Sequence, residues 1–277
     1  MTSRTLPQGQ SVMETRYKKI SEENQKQIET STIGQAENPV WMKQRLGRLT
    51  ASFFGEVIRR KNTTPCAALV KRILYPTKIN APSVRWGSEH EPTARKEYMT
   101  KTGNFVRECG LYVDESHPWL AASPDGVIFC PRDNTQGLLE IKCPYTAGAT
   151  LKISPVEAAT HKDCKGFCSA LQGNELRLKE SHKFYYQVQG QLHITKFQWC
   201  DFVIWTPSGM YIERIRRDDD FWTDSMFPKL KYFFFNCLLP GIASPRHPRN
   251  MAIREPQGVS LKRKRAVKGK CEKRRKV

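Results

Sequence analysis

Three charged residues stand where the chain is otherwise apolar. In residues 121–144, AASPDGVIFCPRDNTQGLLEIKCP, Asp125 follows Pro124, and Glu140 and Lys142 interrupt an apolar run two positions apart. Two short strands are predicted, over 120–129 and 137–143, joined by the turn-forming CPRDNTQG. Side chains two apart on a strand share a face, so Glu140 and Lys142 point the same way. If the strands pair, Asp125 comes to lie beside Glu140. Two carboxylates and an ammonium on an apolar sheet are costly to bury unless they pair or hold a metal. Hard oxygen donors of this kind suit Mg²⁺, with Mn²⁺ as the alternative. A lysine beside such an ion can orient an attacking water or help deprotonate it, which is the equipment of metal-assisted phosphodiester hydrolysis. A Glu-x-Lys on a strand is by itself most often a solvated ion pair, and Ser-Pro-Asp-Gly a turn. The ordered combination inside apolar runs carries the chemistry.

The elements that must position these groups are predicted from the rest of the chain. At 277 residues with 39% hydrophobic content, one sizeable domain with tails is expected. No run approaches the length of a membrane span, and no N-terminal signal peptide is expected. Nine scattered cysteines favour reduced thiols over a disulfide framework. The net charge is +19, and residues 262–277 hold ten Lys/Arg against one Glu. About half of the charge therefore belongs to the body, which favours a polyanionic partner such as DNA.

The Pro-Asp, apolar hairpin and Glu-x-Lys series resembles the PD-(D/E)XK nuclease superfamily. The nearer match is the branch of phage lambda exonuclease and the YqaJ-like viral recombinases, over roughly residues 40–235. The resemblance implies an α/β, restriction-endonuclease-like core: a mixed central β-sheet flanked by α-helices. It implies a metal site of Asp125, Glu140 and the carbonyl of Ile141, with Lys142 as the catalytic lysine. Further blocks occur in the family's order. The Trp-Gly-x-x-x-Glu-x-x-Ala-Arg run in 86–95 matches the helix whose Glu adds a third acid, here Glu91, or Glu89 if the register slips. The Arg-Leu-Gly-x-Leu-Thr-Ala-Ser run in 45–52 matches a block whose Arg and Ser hold a 5′-terminal phosphate. By position these are Arg45 and Ser52, joined by Ser123. Without the match they read as a surface Arg and a helix-capping Ser. Gln-Val-Gln in 187–189 matches a helix whose first Gln, here Gln187, lies beside the lysine. The family's Tyr three residues before it is Phe184 here, which leaves that hydrogen bond without a donor.

Elsewhere, residues 1–38 read as a flexible arm with at most a weak helix over 13–29. Helical spacing runs through 41–58, and a short helix is predicted over 67–75. Residues 103–114 read as a strand, bent at Gly110, in which apolar Phe105, Cys109, Leu111 and Val113 alternate with polar neighbours. Residues 166–171 and 175–179 form an expected hairpin. His161, Cys164, Cys168 and His182 raise a zinc reading, but their spacing lacks a second paired motif. A helix capped by Ser181 is expected through 194, then a hairpin of 199–205 with 210–216, then an aromatic-rich helix over 219–239. Beyond Pro240 a disordered basic tail is expected. Its clusters, Lys262, Arg263, Lys264, Arg265 and Lys273, Arg274, Arg275, Lys276, resemble a nuclear localisation signal that an import receptor would bind.

These expectations converge on a nuclear, Mg²⁺-dependent deoxyribonuclease. The resemblance implies 5′-to-3′ exonuclease action on linear duplex DNA in recombination, and a homo-oligomer. The alternatives are an endonuclease of the same superfamily and a catalytically silent DNA-binding protein on the same scaffold.

Overall fold

A computed structural model describes residues 6–77 and 80–257; the two basic clusters of the tail lie outside the described residues. The expected flexible arm is instead folded onto the body. It forms α1 (Leu6–Arg16) and α2 (Glu22–Ser31), the latter capped by the Ser21 side chain. Tyr17 is buried and donates to the Gly47 carbonyl at 2.7 Å. Ile20 and Ile28 pack on Leu111, Val113 and Ala121. Thr32 Oγ1 accepts from the Leu111 backbone at 2.7 Å, and buried Glu29 pairs with Arg107 at 2.9 Å. Few apolar residues and several polar ties hold this segment, and polar ties leave no hydrophobic period in a sequence. Gly110 makes the approach possible, because a Cβ there would lie 2.0 Å from the Glu29 carbonyl.

The chain continues through α3 (Pro39–Arg45), β1 (Leu49–Thr50), α4 (Ala51–Arg59), α5 (Ala67–Leu74) and the long α6 (Pro82–Thr102). The expected strand over 103–114 divides at Gly110 into β2 (Phe105–Arg107) and β3 (Tyr112–Val113). Phe105, apolar in that alternation, is 65% exposed, because β2 is the edge of its sheet. The expected strand over 120–129 also divides, into β4 (Leu120–Ala122) and β5 (Gly126–Cys130). Pro124 has no N–H to continue a ladder, so Ser123-Pro124-Asp125 becomes a step between two sheets. After β6 (Thr135–Lys142) come α7 (Pro155–Ala158), the β7 (Ser169–Gln172) and β8 (Glu175–Leu178) hairpin, α8 (Lys183–Thr195), β9 (Trp199–Thr206) and β10 (Gly209–Arg216). His182, and not Ser181, caps α8 through its ring nitrogen.

The large sheet runs β10-β9-β6-β5-β2, with β6 and β9 parallel and the other pairs antiparallel. A smaller sheet, β1-β4-β3, contains the parallel pair β1–β4. Val188 and Leu192 of α8 pack on one face of the large sheet, and Ala94 and Tyr98 of α6 on the other. Every residue of β9 is buried, as expected of a strand covered on both faces. Helices α4 and α8 cross closely at two glycines. A Cβ at Gly55 would lie 2.5 Å from the Lys183 Cα, and one at Gly190 would lie 2.3 Å from the Phe54 ring. That crossing sets the helix that carries Ser52 against the helix that carries Gln187.

Residues 221–243 are helical throughout, as α9 (Phe227–Phe233) and α10 (Leu239–Ala243) alternating with wider π-type turns over Phe221–Met226 and Phe234–Leu238. The stretch that follows, expected to be a disordered linker, is tied down as far as it is described. The Glu255 carboxylate accepts from the Cys66 and Ala67 backbone at 2.6 and 3.0 Å, at the start of α5. Arg254 donates to the Pro240 and Ser244 carbonyls. Among the described residues no helix is long and apolar enough to cross a membrane.

Candidate active site

The step between β4 and β5 places Asp125 next to β6. Its backbone N–H donates to the Leu139 carbonyl at 3.0 Å, and its Oδ2 accepts from the Ile141 N–H at 2.6 Å. Glu140, on β6, is 1% exposed and fully engaged. Lys142 pairs with its Oε1, Gln187 Nε2 donates to the same oxygen at 2.5 Å, and Gln191 Nε2 donates to Oε2 at 2.7 Å. Lys142 Nζ also lies 4.9 Å from the centre of the Phe184 ring. The residue that replaces the family's Tyr therefore contacts the lysine through its π face. Glu91, on α6, joins the same charge cluster and pairs with Arg95 at 2.8 Å. Glu89 is exposed and stands outside it.

Burial and the neighbouring Glu140 push the Asp125 carboxyl well above its ordinary range, against the opposing pull of Lys142. Burial raises Glu91 as well, with Glu140 adding to it and Arg95 working against it. Burial alone would depress Lys142, but Glu140, Asp125 and Glu91 hold it above its usual value. Three carboxylates thus stand against Lys142 and Arg95, and the excess negative charge is buried. Glu91, Asp125, Ile141 and Lys142 line one cavity of about 690 Å³. The donor set is hard oxygen, and a further cation would offset its charge, so these residues fit a divalent metal. As they stand, among the described residues, no three His, Cys, Asp or Glu side chains are gathered into a ready cage. In Glu140 the reason is visible: its oxygens already serve a lysine and two amides.

A second cluster lies at the junction of α3, β1 and α4. Arg45 donates to Thr50 Oγ1 at 3.2 Å and to Ser52 Oγ at 3.4 Å, and those hydroxyls are 3.1 Å apart. The Arg45 guanidinium lies 4.2 Å over the Trp41 ring, and Trp41 Nε1 donates to Ser123 Oγ at 2.8 Å. Burial lowers the Arg45 pKa to about 10, and among the described residues the group has no carboxylate partner. Arg45, Ser52 and Ser123 are therefore brought together, through Trp41, two residues from Asp125.

Sequence reasoning did not find Gln191, Trp41 or Thr50. Gln191 carried a signal: it lies four residues from Gln187, on the same helical face. The zinc reading is not met among the described residues. His161 Nδ1 accepts from the Asp163 backbone and His182 Nδ1 from that of Phe184, while Cys164 and Cys168 are buried thiols.

A family model for the YqaJ-like viral recombinase domain matches residues 40–198. The chain belongs to that family. Helices α3 to α8, the smaller sheet and most of the larger one fall within the match. The YqaJ-like domain also resembles the crystal structure of an alkaline exonuclease from Laribacter hongkongensis, with a TM-score of 0.54 and 26% identity over 76% of this chain and 96% of that one. The fold is shared with an RNA complex of KSHV SOX, at TM-score 0.51 and 12% identity over 75% of this chain and 72% of that one. An uncharacterized protein of Acanthamoeba polyphaga mimivirus is 28% identical over 176 residues, which is 59% of this chain. The chain spans only 28% of that viral relative's length. Family and fold agree: the chain carries a YqaJ-like viral recombinase domain, and its fold is similar to that of a solved alkaline exonuclease.

Proposed function

We propose that the YqaJ-like domain is a divalent-metal-dependent deoxyribonuclease that degrades linear duplex DNA from a 5′-phosphorylated end, leaving single strand for recombination. The observation that carries this is the pairing of two sites. A carboxylate cluster with its lysine, and an Arg45 cradle without a carboxylate, are joined through Ser123 and Asp125. Arg45, Thr50 and Ser52 offer a cation and two hydroxyls to a terminal phosphate, with Ser123 held alongside by Trp41. A hydrolase acting within a strand has no use for such an end-reading group.

Asp125, Glu140, Glu91 and the Ile141 carbonyl would hold Mg²⁺, or Mn²⁺ in its place. When bound, the ion lowers the pKa of its water and offsets charge on the phosphate. The chain's own residues do the rest. Gln187 and Gln191 fix the Glu140 carboxylate by one oxygen each. Lys142, which the surrounding acids hold above its usual value before any ion binds, would orient the attacking water or help deprotonate it. The basic body supplies long-range attraction for DNA. The basic clusters at 262–265 and 273–276 suit an import receptor, and hence a nuclear site of action. Family analogy suggests a homo-oligomer.

The test is the direction of digestion. Duplexes labelled at the 5′ or the 3′ terminus of one strand are incubated with protein and Mg²⁺. Early release of the 5′ label as a mononucleotide supports the proposal. Early release of the 3′ label, or internal fragments alone, contradicts it.

A further inference from the structure

The cavity that holds the carboxylates has one wall that the hydrolysis does not use. Tyr145, three residues beyond Lys142, lines it and is 39% exposed. An exposed aromatic ring beside charged groups gains nothing from its own burial, so its support is informative. Trp86 meets Tyr145 edge-on, with ring centres 6.2 Å apart at 85°. Trp86 is itself stacked on His90 at 3.7 Å, and His90 lies 5.5 Å from Trp205. Trp205 is pinned by its Nε1 bond to Glu97 at 2.7 Å. A Cβ at Gly148 would lie 2.9 Å from the Trp86 ring, so glycine lets the turn after Tyr145 close on this pile. Tyr145 is therefore held from behind while its ring faces the cavity.

The α6 wall of the same cavity is made from small residues. Ser83 and Gly87 share a helix face with Glu91 at four-residue spacing, and a Cβ at Gly87 would meet nothing within 4 Å. The cavity thus has a propped aromatic ring and an open glycine, and the catalytic carboxylates stand beside both.

We propose that Tyr145 and the Ser83–Gly87 face of α6 form a slot for one unpaired nucleobase of the strand being cut. Every base has a π face, so stacking on Tyr145 holds the strand without reading its sequence, as a nuclease that digests DNA of any sequence requires. This assignment rests on the nuclease reading and names how the site grips its substrate. Tyr145 is a substrate-contacting residue, and Trp86 positions it.

The experiment compares single-turnover cleavage of a 5′-phosphorylated duplex with that of the same duplex made abasic at the nucleotide being released. For the full-length wild-type chain, base removal slows cleavage roughly 5- to 150-fold, the range that base–aromatic stacking supports. Tyr145→Ala is slowed to the same degree on intact DNA and loses nothing more on abasic DNA. Tyr145→Phe retains the difference between intact and abasic DNA that Tyr145→Ala loses, because the ring and not the hydroxyl makes the contact. Gly87→Leu fills the slot from the other wall and behaves like Tyr145→Ala; leucine favours a helix over glycine, so the fold is kept. The proposal is overturned if base removal slows Tyr145→Ala as much as wild type, or if Tyr145→Phe fails with it. If wild type cleaves no DNA, the nuclease reading falls, and binding decides the slot on its own. Fluorescence anisotropy in Ca²⁺ then compares a single-stranded oligonucleotide with its fully abasic counterpart. A preference for the base-bearing strand that Tyr145→Ala removes supports the slot; equal affinity in wild type overturns it.

Discussion

Arg45→Ala should abolish the preference for a 5′-phosphate while leaving the fold intact. Arg45 is half-buried, desolvation lowers its pKa, and its contacts are two hydroxyls and an indole face. No carboxylate has to be displaced before a phosphate binds. Charge-assisted hydrogen bonds contribute about 1.5–3 kcal/mol each, which corresponds to roughly 10- to 150-fold in kcat/KM. The variant should lose this factor on 5′-phosphorylated ends and almost nothing on 5′-hydroxyl ends, so the two substrates converge. Arg45→Lys should recover part of the preference, since it restores the charge but not the planar fork. The Tm should change little, because the cation–π contact with Trp41 is worth about 1–2 kcal/mol at a half-buried site and a desolvation cost disappears with it. The assay is initial-rate digestion of two duplexes that differ only at the 5′ terminus. An equal loss on both would refute the reasoning, because Arg45 would then act through the fold or the chemistry and not on the terminal phosphate.

Other outcomes follow from the same structure. Gln191→Leu leaves Glu140 Oε2 buried without its donor, and it should lower Mg²⁺ affinity or activity roughly 10- to 100-fold, read from a Mg²⁺ titration of the rate. Asp125→Asn should raise the Tm in EDTA at pH 8 while abolishing cleavage. Burial and Glu140 raise the Asp125 pKa, so its penalty on the fold grows as pH rises and vanishes below the ordinary carboxylate range. The Tm advantage of the variant should therefore shrink towards zero as pH falls to about 4. Gly190→Ala should cost about 1–3 kcal/mol in denaturant unfolding, because its Cβ would overlap the Phe54 ring where α4 crosses α8.

The carboxylate–lysine block was legible because its charges interrupt apolar strands, and burial makes such charges conspicuous. Glu140 and Lys142 do share a face, and Asp125 does reach β6, as two-residue periodicity and a hairpin require. The aromatic helix and the last hairpin were legible for the same reason, since every residue of β9 is buried. What escaped has a different physical basis. The step at Pro124 divides one apolar run between two sheets, and apolar content alone does not say where a ladder ends. The N-terminal helices are held by Tyr17, Glu29 and Thr32 through polar bonds to distant backbone, which no local window contains. Trp41 and Thr50 stand close to Arg45 in the chain, but the cradle reaches Ser123 only because β1 pairs with β4. Motif spacing chose Glu91 and kept Glu89 only for a slipped register. Helix phase separates them, because only Glu91 reaches the cavity.

The central claim is metal-dependent hydrolysis of linear DNA by the Asp125–Glu140–Lys142 site, and one comparison tests it most directly. Linear 5′-phosphorylated duplex and covalently closed circular DNA are incubated with wild-type protein or Lys142→Ala, in Mg²⁺ or in EDTA. The account predicts progressive shortening of the linear DNA alone, only in Mg²⁺, and only by wild type. Cleavage of the linear duplex that survives in Lys142→Ala or in EDTA would contradict it, and nicking of the closed circle would replace the exonuclease with an endonuclease.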